Sequence, residues 1–410
     1  MTAGVLHHVA LGCQLLWNVQ RQVAGVRLEL APHQGSAIDA SHLLASLGDI
    51  WPLRAAPLLL ATPSASLLAG LLDLSPAKLA RIEVTDALLQ EHGMAQRVMR
   101  AQQRGLSLVW RGEPGSHCKA AYAGCFSQSI LTLSTDDALA ALRIALRQNR
   151  GHDAGPVSVS PVQRGQIYQA VASRVLADHC LNQQGATLLG WPVEDVLHGY
   201  RQTRIQPDHA VMTQLVRAID ADAAMEQIEQ LMGQDALLAY RFLRFINSAG
   251  VGLRREVDAL RPGLMVLGLG RVKSWLQEQM RHVGGSDLNL QPIRHGMTLR
   301  ARLMAELLDA GEGDALKREL YLCGLLSQID LLLGEPLADA LASLPLSERV
   351  NTALLSHDGP YWPYLAMAAA LECPGSNTAT EALCECHGFD LEDVNLALLR
   401  TLAAATAVAH

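Results

Sequence analysis

Partway along this chain the hydrophobic rhythm changes, and that change limits the folds open to it. In the first part, short β-rich runs at Val26–Leu30, Leu58–Ala61, Ala80–Val84 and Leu106–Trp110 alternate with helical spacing at Ser41–Leu47, Pro63–Leu74 and Thr85–Arg104. Such alternation predicts a parallel α/β sheet or barrel. Residues 151–166 are rich in Gly, Pro and Ser and read as a loop or linker. From about Ile167 the pattern is almost wholly helical. Its clearest helix spans Met225–Asn247, with a break expected near Gly233 and a stop at Gly250 or Gly252. Further helices are expected at 263–282, 293–310, 315–333, 336–343, 347–355, 362–371, 378–387 and 391–408. A length of 410 residues suits two domains, set at 1–200 (α/β) and 201–410 (all-α).

Composition narrows the function classes. Half of the residues are hydrophobic and 4% are aromatic, so the core is built mainly of Leu, Ala, Val and Ile. A net charge of -7 argues against nucleic acid, which needs a basic face. No apolar run approaches the roughly 18 residues of a membrane span. Met1–Leu16 lacks the basic region of a secretory signal, and the eight cysteines have no scaffold spacing. A cytoplasmic location with reduced thiols is the reading.

Residues 237–276 carry a recognisable pattern. Leu238-Ala239-Tyr240-Arg241-Phe242-Leu243-Arg244-Phe245-Ile246-Asn247-Ser248-Ala249, then Gly252-Leu253-Arg254-Arg255 and Leu267-Gly268-Leu269-Gly270-Arg271-Val272, resemble the HDOD domain. That family looks descended from HD phosphohydrolases by loss of catalytic residues. Against the hydrolase pattern "GLLHDIG", Gly324-Leu325-Leu326-Ser327-Gln328-Ile329 puts Ser327 and Gln328 at the His and Asp places. A hydroxyl and a neutral amide are poor ligands for a catalytic divalent metal.

The preceding part resembles a degenerate EAL domain, a TIM-like barrel that hydrolyses cyclic di-GMP with two metals held by carboxylates. Where the family reads "vvGYELLFR", Val23-Ala24-Gly25-Val26-Arg27-Leu28-Glu29-Leu30-Ala31 puts Arg27 at the metal-binding Glu, with Glu29 on the same strand face. "LEITE" corresponds to Ile82-Glu83-Val84-Thr85-Asp86, keeping Glu83 and Asp86. "LALDDFG" becomes Leu106-Ser107-Leu108-Val109-Trp110-Arg111-Gly112, with Val109 and Trp110 at the paired acids. Gly185-Ala186-Thr187-Leu188-Leu189-Gly190-Trp191-Pro192 puts Leu189 at a Gln place. A two-metal site needs several negative ligands, so these replacements should abolish binding. The segment is also short for a full barrel, and one or more strand–helix units are expected to be missing or remodelled.

Other motifs carry less. His152-Asp153 and His357-Asp358 lie in turn contexts, and Cys384-Glu385-Cys386-His387 lacks structural-zinc spacing. No P-loop and no nucleophile elbow occur. Arg241, Arg244, Arg254, Arg255 and Arg271, with Asn247, cluster at the HDOD-like signature and form the expected interaction surface. Arg261 belongs to the same run. The bland alternative pairs these arginines with acids such as Glu256 and Asp258, with Asn247 satisfying backbone at a helix end.

The combined expectation is a catalytically inactive, cytoplasmic signalling regulator. It needs no cofactor or metal and acts through a protein partner, self-association included, with a link to cyclic di-GMP. The alternative is a metal-independent nucleotide or anion sensor. There Arg27 and Arg111 would contact the anion, opposed by Glu83 and Asp86.

Overall fold

The computed structural model describes residues 4–33, 36–149, 159–281, 284–308, 313–373, 375 and 377–407. His152-Asp153 and the first half of the expected linker, 151–158, lie outside them. Eight strands close into a barrel: β1 (Val9–Trp17), β2 (Val23–Pro32), β3 (Leu58–Ala61), β4 (Ala80–Thr85), β5 (Leu108–Arg111), β6 (Gln128–Leu131), β7 (Ile167–Gln169) and β8 (Thr187–Leu189). β1 runs antiparallel to both β2 and β8, and every other pair is parallel.

The strand count is therefore complete. The economy lies in the connections, where the helix between β5 and β6 is only Ala120–Ala123. The almost wholly helical reading from Ile167 onward needs correction, because Ile167–Gln169 and Thr187–Leu189 are the last two strands. Three residues are too few for an alternating pattern to show.

Register sorts the barrel's side chains. Arg27 pairs with Leu59 and Leu59 with Arg81, Glu83 pairs with Val109, and Arg111 pairs with Ile130. Directly paired residues share a face. Leu16, Leu59, Val109, Ile130, Ile167 and Leu189 form an apolar plug across the middle of the barrel. Below the plug, Arg81 Nη1 donates to Gln128 Oε1 at 2.6 Å. Above it, at the C-terminal ends of the parallel strands, the lining turns polar. That is the end where barrels of this kind place their sites.

Two compact units divide the chain: Met1–Asp195 with Ala369–His410, and Val196–Ala368. The division at 200/201 thus misplaces residues 369–410, which pack with the barrel. The cause is topological. A β-hairpin joins β1 to β2, so no crossover helix covers β1 as helices cover parallel strands. Helices Asn377–His387 and Leu391–Thr406 supply that cover. Asn395, fully buried, donates to the carbonyls of Leu6 (2.8 Å) and Val9 (2.6 Å) and accepts from the Leu11 amide (3.3 Å).

The second unit is helical throughout its described residues. The expected break near Gly233 separates helices Met225–Met232 and Ala236–Ile246. The span expected at 263–282 is two helices, Leu260–Leu267 and Leu269–Met280, parted at Gly268 with φ 77°. A π-helical turn at Thr352–Ser356 ends on His357, which adopts φ 55° and stacks on Trp362 at 4.6 Å.

Candidate functional site at the barrel mouth

A cavity of about 730 Å³ opens above the apolar plug, and four charged side chains line it in alternation. Arg27, in mid-β2, has its side chain only 6% exposed. Its Nε donates to Glu83 Oε2 at 2.7 Å and its Nη2 to Glu83 Oε1 at 3.0 Å. Its Nη1 serves Glu29 Oε2 at 3.1 Å and Gln14 Oε1 at 3.3 Å. Glu83, on β4, is 2% exposed and also accepts from Arg111 Nη1 at 3.1 Å. The bidentate Arg27–Glu83 geometry is the strong form of an ion pair.

The electrostatics follow from burial. Burial alone would raise the Glu83 carboxyl, but the hydrogen bonds and charges of Arg27 and Arg111 outweigh it and hold it below its ordinary range. Burial alone would lower the Arg27 guanidinium, and Glu83 with Glu29 reverses that. Two carboxylates therefore face two guanidiniums, and the row sums to zero charge.

Two catalytic metals do not fit this donor set. The carboxylates that could bind cations are held by Arg27, and Glu83 has its oxygens committed to two arginines. Divalent ions 3.5–4 Å apart require a surplus of negative ligands. Among the described residues no cluster of three His, Cys, Asp or Glu side chains could hold a metal.

The other barrel positions separate. Val109 faces inward within the plug, whereas Trp110 is 1% exposed and alternation turns it to the outer, helix-covered side. Leu189 lines the cavity. Asp86 opens the short helix Asp86–Leu89 beyond the rim and is not part of the lining. The expectation of Arg27 as an anion contact opposed by Glu83 is corrected by their mutual pairing. Arg111, 30% exposed and lining the cavity, is the more open of the two arginines.

In the second unit the arginine cluster also divides. Arg241 is half-buried and donates to Gln206 Oε1 (2.7 Å) and the Ile205 carbonyl (2.9 Å). Burial, with Arg204 nearby, lowers its guanidinium to about 10. Asn247 donates to the carbonyls of Leu243 and Val257 and accepts from the Val257 amide, all at 2.8 Å. Both residues thus bond inside the fold, Arg241 to the segment before the helical unit's first long helix and Asn247 to the turn after its own helix. Arg261 pairs with Glu226 and Glu229, not with Glu256 or Asp258. Arg244, lying over the Tyr240 ring at 5.6 Å, and Arg254, Arg255 and Arg271 remain exposed.

Asn247→Ala should cost about 1–3 kcal/mol, since the Val257 amide is left buried without its acceptor. Urea unfolding would measure this. A change under about 0.5 kcal/mol would show that the latch carries no weight.

Ser327 ends helix Asp314–Leu326, its hydroxyl donating to the Gly324 carbonyl at 2.7 Å. Gln328 opens the next helix, Ile329–Leu333. Sequence reasoning missed a buried centre in the same unit. Asp235, 0% exposed, accepts from the amides of Leu238 and Asp208, each at 2.7 Å. Arg294 Nη1 lies 3.0 Å from Asp235 and 3.6 Å from Asp208. The available signal was Asp235 itself, an acid placed to cap the signature helix.

The HDOD domain family matches residues 205–348. The chain is 26% identical over 200 residues to "Cyclic di-GMP phosphodiesterase CdgJ" of Vibrio cholerae serotype O1, covering 48% of this chain and 46% of that protein. It thus spans less than half of that relative's length. The solved MmoQ response regulator of Methylococcus capsulatus gives a TM-score of 0.38 at 17% identity, covering 48% of this chain and 98% of that one. The EAL enzyme Bd1971, solved with cAMP and cyclic di-GMP, gives 0.30 at 11%, covering 45% and 61%. The chain thus matches the HDOD domain family at residues 205–348, after a closed eight-stranded barrel.

Proposed function

We propose that this chain is a non-hydrolytic regulator in a cyclic di-GMP signalling network, working in the cytoplasm through contact with a protein partner. One observation carries the reading: Arg27 sets a fixed cation in the floor of the barrel mouth, paired with Glu83, where metal-dependent hydrolysis would need open carboxylates. The HDOD domain offers the contact surface, through the exposed Arg244, Arg254, Arg255 and Arg271. Exposed cations on helix Ala236–Ile246, the turn after it and helix Leu269–Met280 suit an acidic partner face and steer its approach. Among the described residues no helix is long and apolar enough to cross a membrane.

The deciding experiment incubates the purified chain with cyclic di-GMP and magnesium or manganese, and follows the linear dinucleotide by chromatography. Product formation is expected to match the protein-free blank. Turnover that scales with protein concentration would overturn the proposal.

A further inference from the structure

The row Glu29–Arg27–Glu83–Arg111 has two ends, and the ends are more open to a ligand than the centre, at 19% exposure for Glu29 and 30% for Arg111 against 6% for Arg27 and 2% for Glu83. Its centre is satisfied, since Arg27 serves three acceptors and Glu83 accepts from two arginines. At one end Arg111, 30% exposed, commits Nη1 to Glu83, and among the described residues its other nitrogens have no recorded partner. At the other end Glu29, 19% exposed, holds Arg27 through Oε2, and its Oε1 takes a 3.3 Å contact from Asn377. Both line the same cavity, whose apolar wall is Val171, Leu189 and Trp191. The mouth therefore presents one cationic and one anionic group across a neutral floor.

We infer that the barrel mouth binds a short zwitterion of dipeptide length, with its carboxylate on Arg111 and its ammonium on Glu29. The span limits the length. Contacts of 3.1, 3.0 and 3.1 Å, joined through the width of one guanidinium, keep the two ends within about 12 Å. An extended chain rises about 3.5 Å per residue, so the termini of a dipeptide lie about 7 Å apart. A charge-assisted contact of about 2.8 Å at each end completes the bridge. A dianionic cyclic nucleotide is the poorer match, because one open guanidinium faces it and both carboxylates repel it.

This inference rests on the same metal-free mouth as the proposed function, yet it reads binding and not turnover. The test titrates the full chain by calorimetry with alanyl-alanine, its N-acetyl form and its C-terminal amide. Alanyl-alanine should bind saturably, and blocking either end should weaken it at least tenfold. Arg111→Gln should weaken the free dipeptide by a similar factor while leaving the amide's affinity unchanged, and Glu29→Gln should do the same with respect to the acetyl form. Absence of saturable binding at millimolar dipeptide, or equal binding of the three ligands, would overturn the inference. The ligand series decides this on the unsubstituted protein, should either variant fold poorly. A negative result here leaves the hydrolysis assay to stand or fall by itself.

Discussion

Arg27→Ala or Glu83→Ala is expected to destabilise the barrel by about 3–5 kcal/mol, because each strands its partner's charge in a nearly closed site. In the alanine variant at 27, Glu83 keeps only Arg111, which is far more exposed. In the alanine variant at 83, Arg27 is left with Glu29 and Gln14. The double change Arg27→Met with Glu83→Leu should recover a large part of the loss, since apolar groups of similar volume carry no desolvation penalty. Chemical unfolding of the three variants measures this. A single variant within about 0.5 kcal/mol of the parent would mean that the pair does not hold the barrel.

The same pair sets a pH dependence with a definite sign. Glu83 has its folded pKa held below the unfolded value, burial notwithstanding, by Arg27 and Arg111. Its contribution is therefore present above the ordinary carboxylate range and is lost as pH falls through the lower folded value. Part of the parent's acid-side loss of stability should be missing in Glu83→Ala.

Asp235→Ala should be comparably severe in the helical unit, about 3–5 kcal/mol. The substitution removes the cap of helix Ala236–Ile246, orphans the Asp208 amide and leaves Arg294, 4% exposed, without its nearest carboxylate. Asp235→Asn separates the effects, because it retains one acceptor oxygen and loses the charge. An Asn variant as unstable as Ala would show that charge dominates, and one near the parent that capping does not need it. Urea midpoints with near-ultraviolet circular dichroism distinguish these outcomes.

The sequence made the middle of the barrel readable and its ends obscure. Leu58–Ala61 is wholly buried, so its unbroken apolar run marks a covered parallel strand. β7 and β8 have only three residues each, too few for any period to register. The helices at 377–387 and 391–406 were legible as helices, but an apolar stripe does not say which unit buries it. At the site, Arg27 and Glu83 were both identified on β2 and β4. Their direct pairing was not, because a 56-residue separation is bridged only by the parallel pairing of β2, β3 and β4. Asp208, Asp235 and Arg294 were invisible for the same reason, as their spacing has no local periodicity.

Return of the last helices to β1 has a consequence for how the chain assembles. Val196–Ala368 is one uninterrupted stretch, whereas the barrel unit is written in two instalments separated by it. On a ribosome the helical unit has all of its residues available while the barrel still lacks the cover of its first strand. The backbone of Leu6, Val9 and Leu11 must wait for Asn395, more than 380 residues later. Contacts of such separation form late and slowly. The barrel is thus begun first and finished last, and its exposed leading strand is the part most in need of protection during synthesis.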